Sequence, residues 1–182
     1  MTVDKTTIDG LLIITPGIFE DERGFFMETY NADKFKEIGI NHPFYQDNHS
    51  KSAKDILRGL HFQSKPGQAK LIRAISGTIW DVAVDIRENS PTFGKWFAVE
   101  LSAENKKMFY IPTGFAHGFC VLSDIAEVCY KVSNVYIAET ECGIAWDDPD
   151  LAIDWPVKTP LLSERDKSNP TLKEYIALKS KG

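Results

Sequence analysis

Two histidines lie beside glycines in apolar segments, an arrangement that suits acid–base chemistry. His61 lies in residues 57–63 (LRGLHFQ), and His117 lies in residues 111–119 (IPTGFAHGF). A neutral imidazole accepts a proton near neutral pH, provided that a neighbouring group fixes its tautomer. Apolar segments of this composition are typical of β-strands. The two segments therefore predict a site in which two imidazoles on rigid elements meet a small ligand.

An acidic residue could supply the partner that such a histidine needs. Asp166, in the late segment 161–166 (LLSERD), is one candidate. Its position before Pro170 also fits a surface or helix-capping acid, and the residues alone favour that second interpretation.

Two further carboxylates lie on one face of a predicted strand. Alternation along residues 78–86 places Asp81 and Asp85 on the face opposite Trp80 and Val82. If that face lines the interior of a barrel, each carboxylate needs a partner, because an unpaired buried charge is costly. Exposure of both carboxylates to solvent is an equally weighted alternative.

Length, composition and charge exclude several classes of protein. The 182 residues, 43% of them hydrophobic, fit one domain over residues 1–182 with a real core. The formal net charge of −5 argues against nucleic-acid binding, although a small anionic ligand needs only a few local cations. We find neither an N-terminal targeting pattern nor an apolar run near the roughly 20 residues of a membrane span. These features predict a soluble cytoplasmic protein with no membrane partner.

The cysteines indicate a reduced protein rather than a disulfide scaffold. Cys120, Cys129 and Cys142 show no C-x-x-C spacing and are too few for a disulfide framework. Cys120 and Cys129 lie in apolar segments, so we expect reduced core residues rather than nucleophiles.

Short runs of β-branched and aromatic residues, separated by Gly, Pro, Asn and Asp, fill most of the chain and predict an all-β sandwich or barrel. Ser76-Gly77, between two of these runs, predicts a hairpin. The expected strands are residues 11–15, 25–30, 44–48, 57–62, 70–75, 78–86, 96–101, 108–111, 118–122 and 126–134.

Two segments fit short helices at the periphery of this β structure. Asn31 or Asp33 can cap the first, which stops at Gly39. Pro170 can begin the second, near the C-terminus. No linker, repeat or low-complexity tract in the sequence indicates a second domain.

The segment 112–117, Pro-x-Gly-x-x-His, resembles the second motif of the cupin family, and His61-x-Gln63 occupies the place of the first. This resemblance implies a jelly-roll β-barrel. A metal-binding cupin would carry His-x-His and then Glu, whereas Gln63 replaces the second histidine and residues 64–68 contain no carboxylate. Because this ligand set is incomplete, we expect no metal, and base chemistry is the better use of His61.

Seven motifs, in order over about residues 9–166, together resemble the dTDP-4-dehydrorhamnose 3,5-epimerase family. They are residues 21–26 (DERGFF), 46–50 (QDNHS), 57–63 (LRGLHFQ), 81–87 (DVAVDIR), 90–94 (SPTFG), 101–105 (LSAEN) and 111–119 (IPTGFAHGF). The resemblance implies epimerisation at C3 and C5 of dTDP-4-dehydro-6-deoxy-D-glucose, a step of dTDP-L-rhamnose biosynthesis, with no cofactor. Both carbons flank a ketone, so loss of either proton leaves an enolate. Such chemistry needs a base, a proton donor on the opposite face and positive charge near the oxygen.

The resemblance also implies roles for individual residues. His61 is the base, Asp166 orients it, Tyr130 donates a proton to the opposite face, and Lys70 stabilises the enolate. Spacing alone would fit a core strand residue for Tyr130 and a solvated strand end for Lys70 equally well. The implied substrate-binding residues are Arg23, Glu28, Gln46, Asn48, Arg58, His117, Tyr136, Glu141 and Arg165.

Within that binding set, the implied tasks differ. Arg23 and Arg58 would neutralise the diphosphate, and Tyr136 would stack on thymine. Arg165 stands where lysine is common in the family, which keeps the charge but alters the geometry. The family also implies a homodimer in which N-terminal strands of one subunit help to close the site of the other.

Three alternatives remain open from the sequence. A relative of the same family could invert only one of the two carbons or move the ketone. A metal-dependent cupin could use His61 and His117 as ligands. A non-catalytic sugar-nucleotide-binding protein would bind the ligand and exchange none of its hydrogens.

Overall fold

The computed structural model describes residues 1–180, and antiparallel strands dominate it. The strands are β1 (Thr2–Lys5), β2 (Leu12–Thr15), β3 (Ile18–Asp21), β4 (Gly24–Met27), β5 (Gln46–Ala53), β6 (Leu57–Gln63), β7 (Lys70–Ser76), β8 (Thr78–Asp85), β9 (Trp96–Ser102), β10 (Met108–Ile111), β11 (Phe115–Val121), β12 (Ile125–Val132) and β13 (Glu141–Gly143). The helices are α1 (Ala32–Glu37), α2 (Glu164–Lys167) and α3 (Leu172–Lys179), with a short 3₁₀ turn at Ala138–Thr140. The predicted all-β class with a few short peripheral helices is confirmed.

Two facing sheets form the barrel. One has six strands in the order β1-β2-β10-β7-β12-β5, and the other has five in the order β13-β6-β11-β8-β9. Every paired strand runs antiparallel to its neighbour. Ile72 and Phe109 from the first sheet pack with Ala83 and Phe119 from the second in one buried cluster. This is the cupin-type jelly roll, and its core lies between the sheets.

The sequence located most strands but missed several boundaries. β5 extends to Ala53, beyond the predicted end at residue 48, because its polar residues alternate between a partly buried and an exposed face. β11 begins at Phe115 rather than at residue 118 and is buried along its whole length. The strands β1, β3 and β13, each of four residues or fewer, were not predicted.

The predicted hairpin at Ser76-Gly77 is wrong. β7 belongs to the six-stranded sheet and β8 to the five-stranded sheet, so the two strands do not pair with each other. Gly77 alone separates them, with a φ of 70°, and carries the chain from one sheet to the other. A Cβ at Gly77 would lie 2.1 Å from the carbonyl oxygen of Ile125. Glycine is therefore required there for the crossing rather than for a hairpin turn.

The predicted helices exist, and their caps differ in detail. Asn31, not Asp33, caps α1 by accepting from the backbone N–H groups of Asp33 and Lys34. The C-terminal helix α3 begins after Thr171, which forms a capping box with Glu174, so Pro170 precedes the cap rather than starting the helix. α2 was not predicted because it spans only four residues, Glu164–Lys167.

The solvent-facing alternative for Asp81 and Asp85 is wrong. Both residues are fully buried. Asp85 accepts hydrogen bonds from Arg87, Ser90 and Thr92. Burial raises the pKa of Asp85, but these hydrogen bonds outweigh it and hold the pKa well below its usual range. Asp81 pairs with a histidine, described below.

Cys120, Cys129 and Cys142 are free thiols, of which Cys120 is buried as expected and Cys129 only partly so. Burial raises the pKa of the Cys120 thiol to about 12, which makes it unreactive. Among residues 1–180, no helix is both long and apolar enough to cross a membrane.

Candidate active site

A cavity of about 490 Å³ opens between the two sheets, and strands from both sheets supply its walls. β6 and β11 contribute from one sheet, and β5, β7 and β12 from the other. The segment that ends in α2 closes one side. The lining residues are Ser50, Ile56, Leu57, Arg58, His61, Lys70, His117, Phe119, Tyr130, Leu161, Leu162, Ser163, Arg165 and Asp166.

His61 and Asp166 form a hydrogen-bonded pair at this cavity. β6 carries His61, and α2 carries Asp166, whose backbone N–H is capped by the Ser163 hydroxyl. The distance from Nε2 of His61 to Oδ1 of Asp166 is 2.5 Å. With 3% of its side chain exposed, Asp166 is not a surface acid, so the interpretation favoured by the residues alone is wrong.

The protonation states of this pair follow from its hydrogen bonds. Burial raises the pKa of Asp166, but hydrogen bonds, led by that from His61, outweigh it and lower the pKa below its ordinary value. An ionised carboxylate only accepts, so Nε2 of His61 carries the proton and donates it. This tautomer leaves Nδ1 with a lone pair, and His61 can therefore act as a base.

A second histidine–aspartate pair lies directly across the strands from the first. His117 on β11 is the cross-strand neighbour of His61 on β6. Nε2 of His117 lies 2.8 Å from Oδ1 of Asp81, and both side chains are buried. Burial lowers the pKa of His117, only partly offset by Asp81, so the ring is neutral at pH 7. Alternation along β8 left burial of Asp81 and its exposure to solvent equally open, and its partner was missed because the pairing joins distant residues.

Lys70 lies at the start of β7, beside His61. Its side chain is buried, and Nζ donates to the backbone oxygen of His61 at 3.3 Å. Burial lowers the pKa of Lys70 to about 8, with Asp81 and Glu141 acting in the opposite direction. Lys70 therefore remains predominantly cationic at pH 7, as a buried positive charge next to the His61–Asp166 pair.

Tyr130 approaches the same cavity from the opposite sheet. It lies on β12, with Asn48 of β5 and Ile72 of β7 as its cross-strand neighbours. Burial raises the pKa of the Tyr130 phenol, which keeps it protonated at neutral pH. The phenol is therefore available as a proton donor.

Of the predicted binding residues on β5 and β6, one lines the cavity, whereas Gln46 and Asn48 are not among its lining residues. Arg58 lines it and donates from Nε to the Ser52 hydroxyl at 3.0 Å. Gln46 and Asn48 are joined by a 2.8 Å hydrogen bond from Nε2 to Oδ1.

A network of hydrogen bonds and one ion pair, called the rim below, joins Gln46, Tyr136, Glu141 and Arg165. Oε1 of Gln46 accepts from the backbone N–H of Tyr136 at 2.8 Å. The Tyr136 hydroxyl donates to Glu141 at 2.5 Å, and Arg165 pairs with the same carboxylate at 2.5 Å. The structure thus brings Gln46 and Arg165, which lie far apart in the sequence, together with Tyr136 and Glu141.

Arg23 and Glu28 lie away from the cavity of this chain. Arg23 follows β3 in the β3–β4 hairpin and pairs with Asp21, while Glu28 pairs with Lys34 and accepts from Asn31. The hairpin also exposes large apolar side chains that a single chain leaves uncovered. They are Ile18, Phe19, Phe25 and Phe26.

Comparison with known proteins gives one consistent family. The family model described as dTDP-4-dehydrorhamnose 3,5-epimerase matches residues 5–174. The chain belongs to this family. The dTDP-4-dehydrorhamnose 3,5-epimerase of Shigella flexneri is 57% identical over 168 residues, which cover 91% of this chain and 93% of the relative.

A solved structure supports the same assignment. The crystal structure of dTDP-6-deoxy-D-glucose-3,5-epimerase from Legionella pneumophila Philadelphia 1, in complex with dTDP-4-keto-L-rhamnose, superposes with a TM-score of 0.93. It is 50% identical, and the alignment covers 94% of this chain and 93% of that chain. A dTDP-4-dehydrorhamnose 3-epimerase of Streptomyces niveus is 43% identical over 92% of this chain and 82% of its own length.

His61 and His117 are the candidate metal ligands that line the cavity. Within the described residues 1–180, no three His, Cys, Asp or Glu side chains come together in a way that could hold a metal ion. His61 and His117 each face an aspartate instead.

Proposed function

We propose that this protein inverts C3 and C5 of dTDP-4-dehydro-6-deoxy-D-glucose to give dTDP-4-dehydro-L-rhamnose, without a cofactor. The observation that carries the proposal is the convergence of the His61–Asp166 pair, Lys70 and Tyr130 on one cavity. Similarity to epimerases at 57% and 50% identity supports the same reaction.

In this mechanism His61 takes the proton from the carbon next to the ketone. Nδ1 of the ring carries the lone pair, and Asp166 stabilises the imidazolium that forms. The electrons of the broken C–H bond move to the ketone oxygen and give an enolate. Lys70, a buried cation, stabilises that oxygen electrostatically because burial removes competing water.

Tyr130 then returns a proton to the opposite face of the enolate. His61 and Tyr130 lie on strands of facing sheets, so the sugar ring fits between base and donor. The phenol is neutral at pH 7, because burial raises the pKa of Tyr130. His61 then releases its proton to solvent and Tyr130 regains one from solvent, so the two steps can be repeated at the second carbon, which the same ketone activates.

The nucleotide lies along the rim in this proposal. Arg58 neutralises the diphosphate at the cavity, and Arg165 adds a second cation. Tyr136, with 52% of its surface exposed, offers its ring to thymine. The other proposed contacts on this chain are Gln46, Asn48, His117 and Glu141.

We propose a homodimer in which the β3–β4 hairpin completes the partner's site. Phe19 and Phe26 are 70% and 69% exposed, and exposed apolar side chains at this density mark interaction surfaces. Arg23 and Glu28 lie on or beside this hairpin and away from their own cavity, where they could serve the neighbouring one. We place the reaction in the cytoplasm, because its reducing conditions suit three free cysteines.

Proton NMR of the substrate in D₂O with a metal chelator tests the proposed reaction. A second sample contains a rhamnose-forming reductase and NADPH. Deuterium at both C3 and C5, together with dTDP-rhamnose, is the expected result. Exchange at one carbon only would indicate a mono-epimerase, such as the Streptomyces niveus relative. Loss of activity in chelator would favour a metal-dependent cupin, and binding without exchange would favour a non-catalytic binding protein.

A further inference from the structure

The loop after α2 packs against β13 at the point where β13 pairs with His61. Gly143 is the cross-strand partner of His61. The side-chain amide of Asn169 lies over Gly143, since a Cβ there would be 2.2, 2.4 and 2.5 Å from its Oδ1, Cγ and Nδ2. Real Cβ atoms essentially never approach another heavy atom within 3.0 Å, so an alanine at position 143 would displace the Asn169 amide from this position.

The backbone of Gly143 gives no separate reason for a glycine. Its φ is not in the left-handed region, unlike those of Gly59, Gly77 and Gly114. Other residues could adopt this backbone conformation without strain. The space that Asn169 occupies is therefore the structural reason for glycine at this position.

A backbone hydrogen bond fastens the same two segments. The N–H of Ala145 donates to the carbonyl oxygen of Pro170 at 2.7 Å. Residues 169–170 are thus held to residues 143–145 by one packed side chain and one backbone hydrogen bond. Asp166 lies only three residues before Asn169 and bonds to His61, the residue that pairs with Gly143.

The Nδ2 of Asn169 is buried, and no group within residues 1–180 accepts a hydrogen bond from it. A buried donor without a partner is destabilising and is retained only when something offsets it. The packing of the α2 segment against β13 offsets the destabilisation from this unpaired donor.

We propose that Asn169 and Gly143 form an interlock that positions Asp166 against His61. Asn169 touches neither the cavity nor the proposed reacting atoms, so it is a positioning residue rather than a catalytic one. The interlock fixes α2 relative to β13, and β13 is paired with the strand that carries His61. The catalytic part of this inference rests on the proposed function.

Three variants test the interlock: Gly143→Ala, Asn169→Ala and the double variant. The first measurement is the ¹⁵N NMR shift of the His61 imidazole, which reports which ring nitrogen carries the proton. The chain has four histidines, so His61 is readily assigned. The second is kcat and KM for epimerisation, with thermal unfolding to monitor the fold.

We expect Gly143→Ala to convert the single Nε2-protonated form of His61 to a mixture of tautomers. We expect it to lower kcat about tenfold or more with KM within about twofold, because Asp166 no longer fixes the base. In the double variant, Asn169→Ala removes the three atoms that the methyl group of Ala at position 143 would strike. The double variant should therefore behave like Asn169→Ala alone, which shows that the two substitutions are not additive.

Gly17→Ala is the matched control, because among residues 1–180 its new Cβ has no neighbour closer than 3.8 Å and its φ is not left-handed. Unchanged tautomer and kcat in both single variants would overturn the proposal, as would simple additivity in the double variant. If Gly143→Ala does not fold, Asn169→Ala decides, because it introduces no clash. We expect Asn169→Ala also to give mixed His61 tautomers and a lower kcat, and unchanged values in this variant would then overturn the proposal. If the wild-type protein shows no turnover, the proposed function fails, and the ¹⁵N shifts still decide the interlock.

Discussion

At the scale of residues, the two histidine–aspartate pairs are alike in geometry but unlike in access. His61 and His117 are cross-strand neighbours, and each contacts an aspartate through Nε2. The side chain of His61 is 27% exposed, whereas that of His117 is 9% exposed. His61 can therefore reach a substrate and gain a proton, while burial holds His117 neutral. This difference is the physical reason for assigning the base to His61.

Substitution of either member of the first pair should remove most activity. We expect His61→Ala and Asp166→Asn to lower kcat by about 10²–10⁴-fold, the usual contribution of general acid–base catalysis. Steady-state kinetics with thermal unfolding checks this. His49→Ala is the control, because His49 also pairs with a carboxylate, Glu127, but on an exposed surface. A near-normal rate for His61→Ala would refute the assignment.

Removal of the Tyr130 hydroxyl should separate proton abstraction from inversion. In Tyr130→Phe the base still operates, so solvent deuterium should enter the substrate from the side of His61, while inverted product falls strongly. NMR of the recovered sugar in D₂O distinguishes the two. Tyr110→Phe serves as control, since its buried hydroxyl contacts His42 away from the cavity. Normal product formation by Tyr130→Phe would mean that another group donates the proton.

The buried cation Lys70 predicts a pH dependence. Burial lowers the pKa of Lys70 to about 8, so its positive charge is present below that pH and is lost as pH rises through it. We expect kcat/KM to fall above about pH 8. Lys70→Arg should be less active but flat over this range, because a guanidinium stays charged. If kcat/KM of Lys70→Arg declined in the same way above pH 8, a group other than Lys70 would be responsible for the decline.

At the scale of elements, the sequence predicted what is periodic and missed what depends on distant contacts. Strands such as Met108–Ile111 were predicted with their correct bounds because their composition is continuous and apolar. The crossing at Gly77 was mistaken for a hairpin, since a turn residue does not reveal which strands pair. Likewise, the burial of Asp166 depends on Ser163 and His61, the second of which lies 105 residues away. The resemblance to a family, not periodicity, identified that pair.

An alanine should be poorly tolerated at Gly77, where the chain crosses from one sheet to the other. Gly77→Ala combines left-handed strain with a clash against the Ile125 carbonyl, so we expect about 3 kcal/mol of lost stability. Gly39→Ala is the matched control, with a φ of 91° but no atom of residues 1–180 within 4 Å of the new Cβ. It should cost about 1–2 kcal/mol from strain alone. Urea unfolding measures both, and equal losses would show that the crossing itself is not constrained.

At the scale of the whole molecule, the charged side chains that line the cavity are mainly cations, whereas the chain as a whole carries a net negative charge. The chain carries a net charge of −5, yet Arg58, Lys70 and Arg165 line one cavity. A dianionic diphosphate therefore meets local cations in an acidic protein. Arg23, by contrast, lies on a hairpin with exposed phenylalanines and outside that cavity. A dimer that exchanges hairpins would bring this fourth cation to the partner's site.

Mixed dimers can test the exchange of hairpins directly. Arg23→Ala and His61→Ala should each be nearly inactive alone, because every site lacks one of the two residues. In a mixed dimer, one site combines His61 of the first chain with Arg23 of the second and is complete. After the variants are unfolded and refolded together in equal amounts, half of the dimers are mixed and half of their sites intact. We therefore expect about a quarter of wild-type activity to return. If both residues served their own chain's cavity, mixing would restore nothing, and a monomer in sedimentation would exclude the dimer altogether.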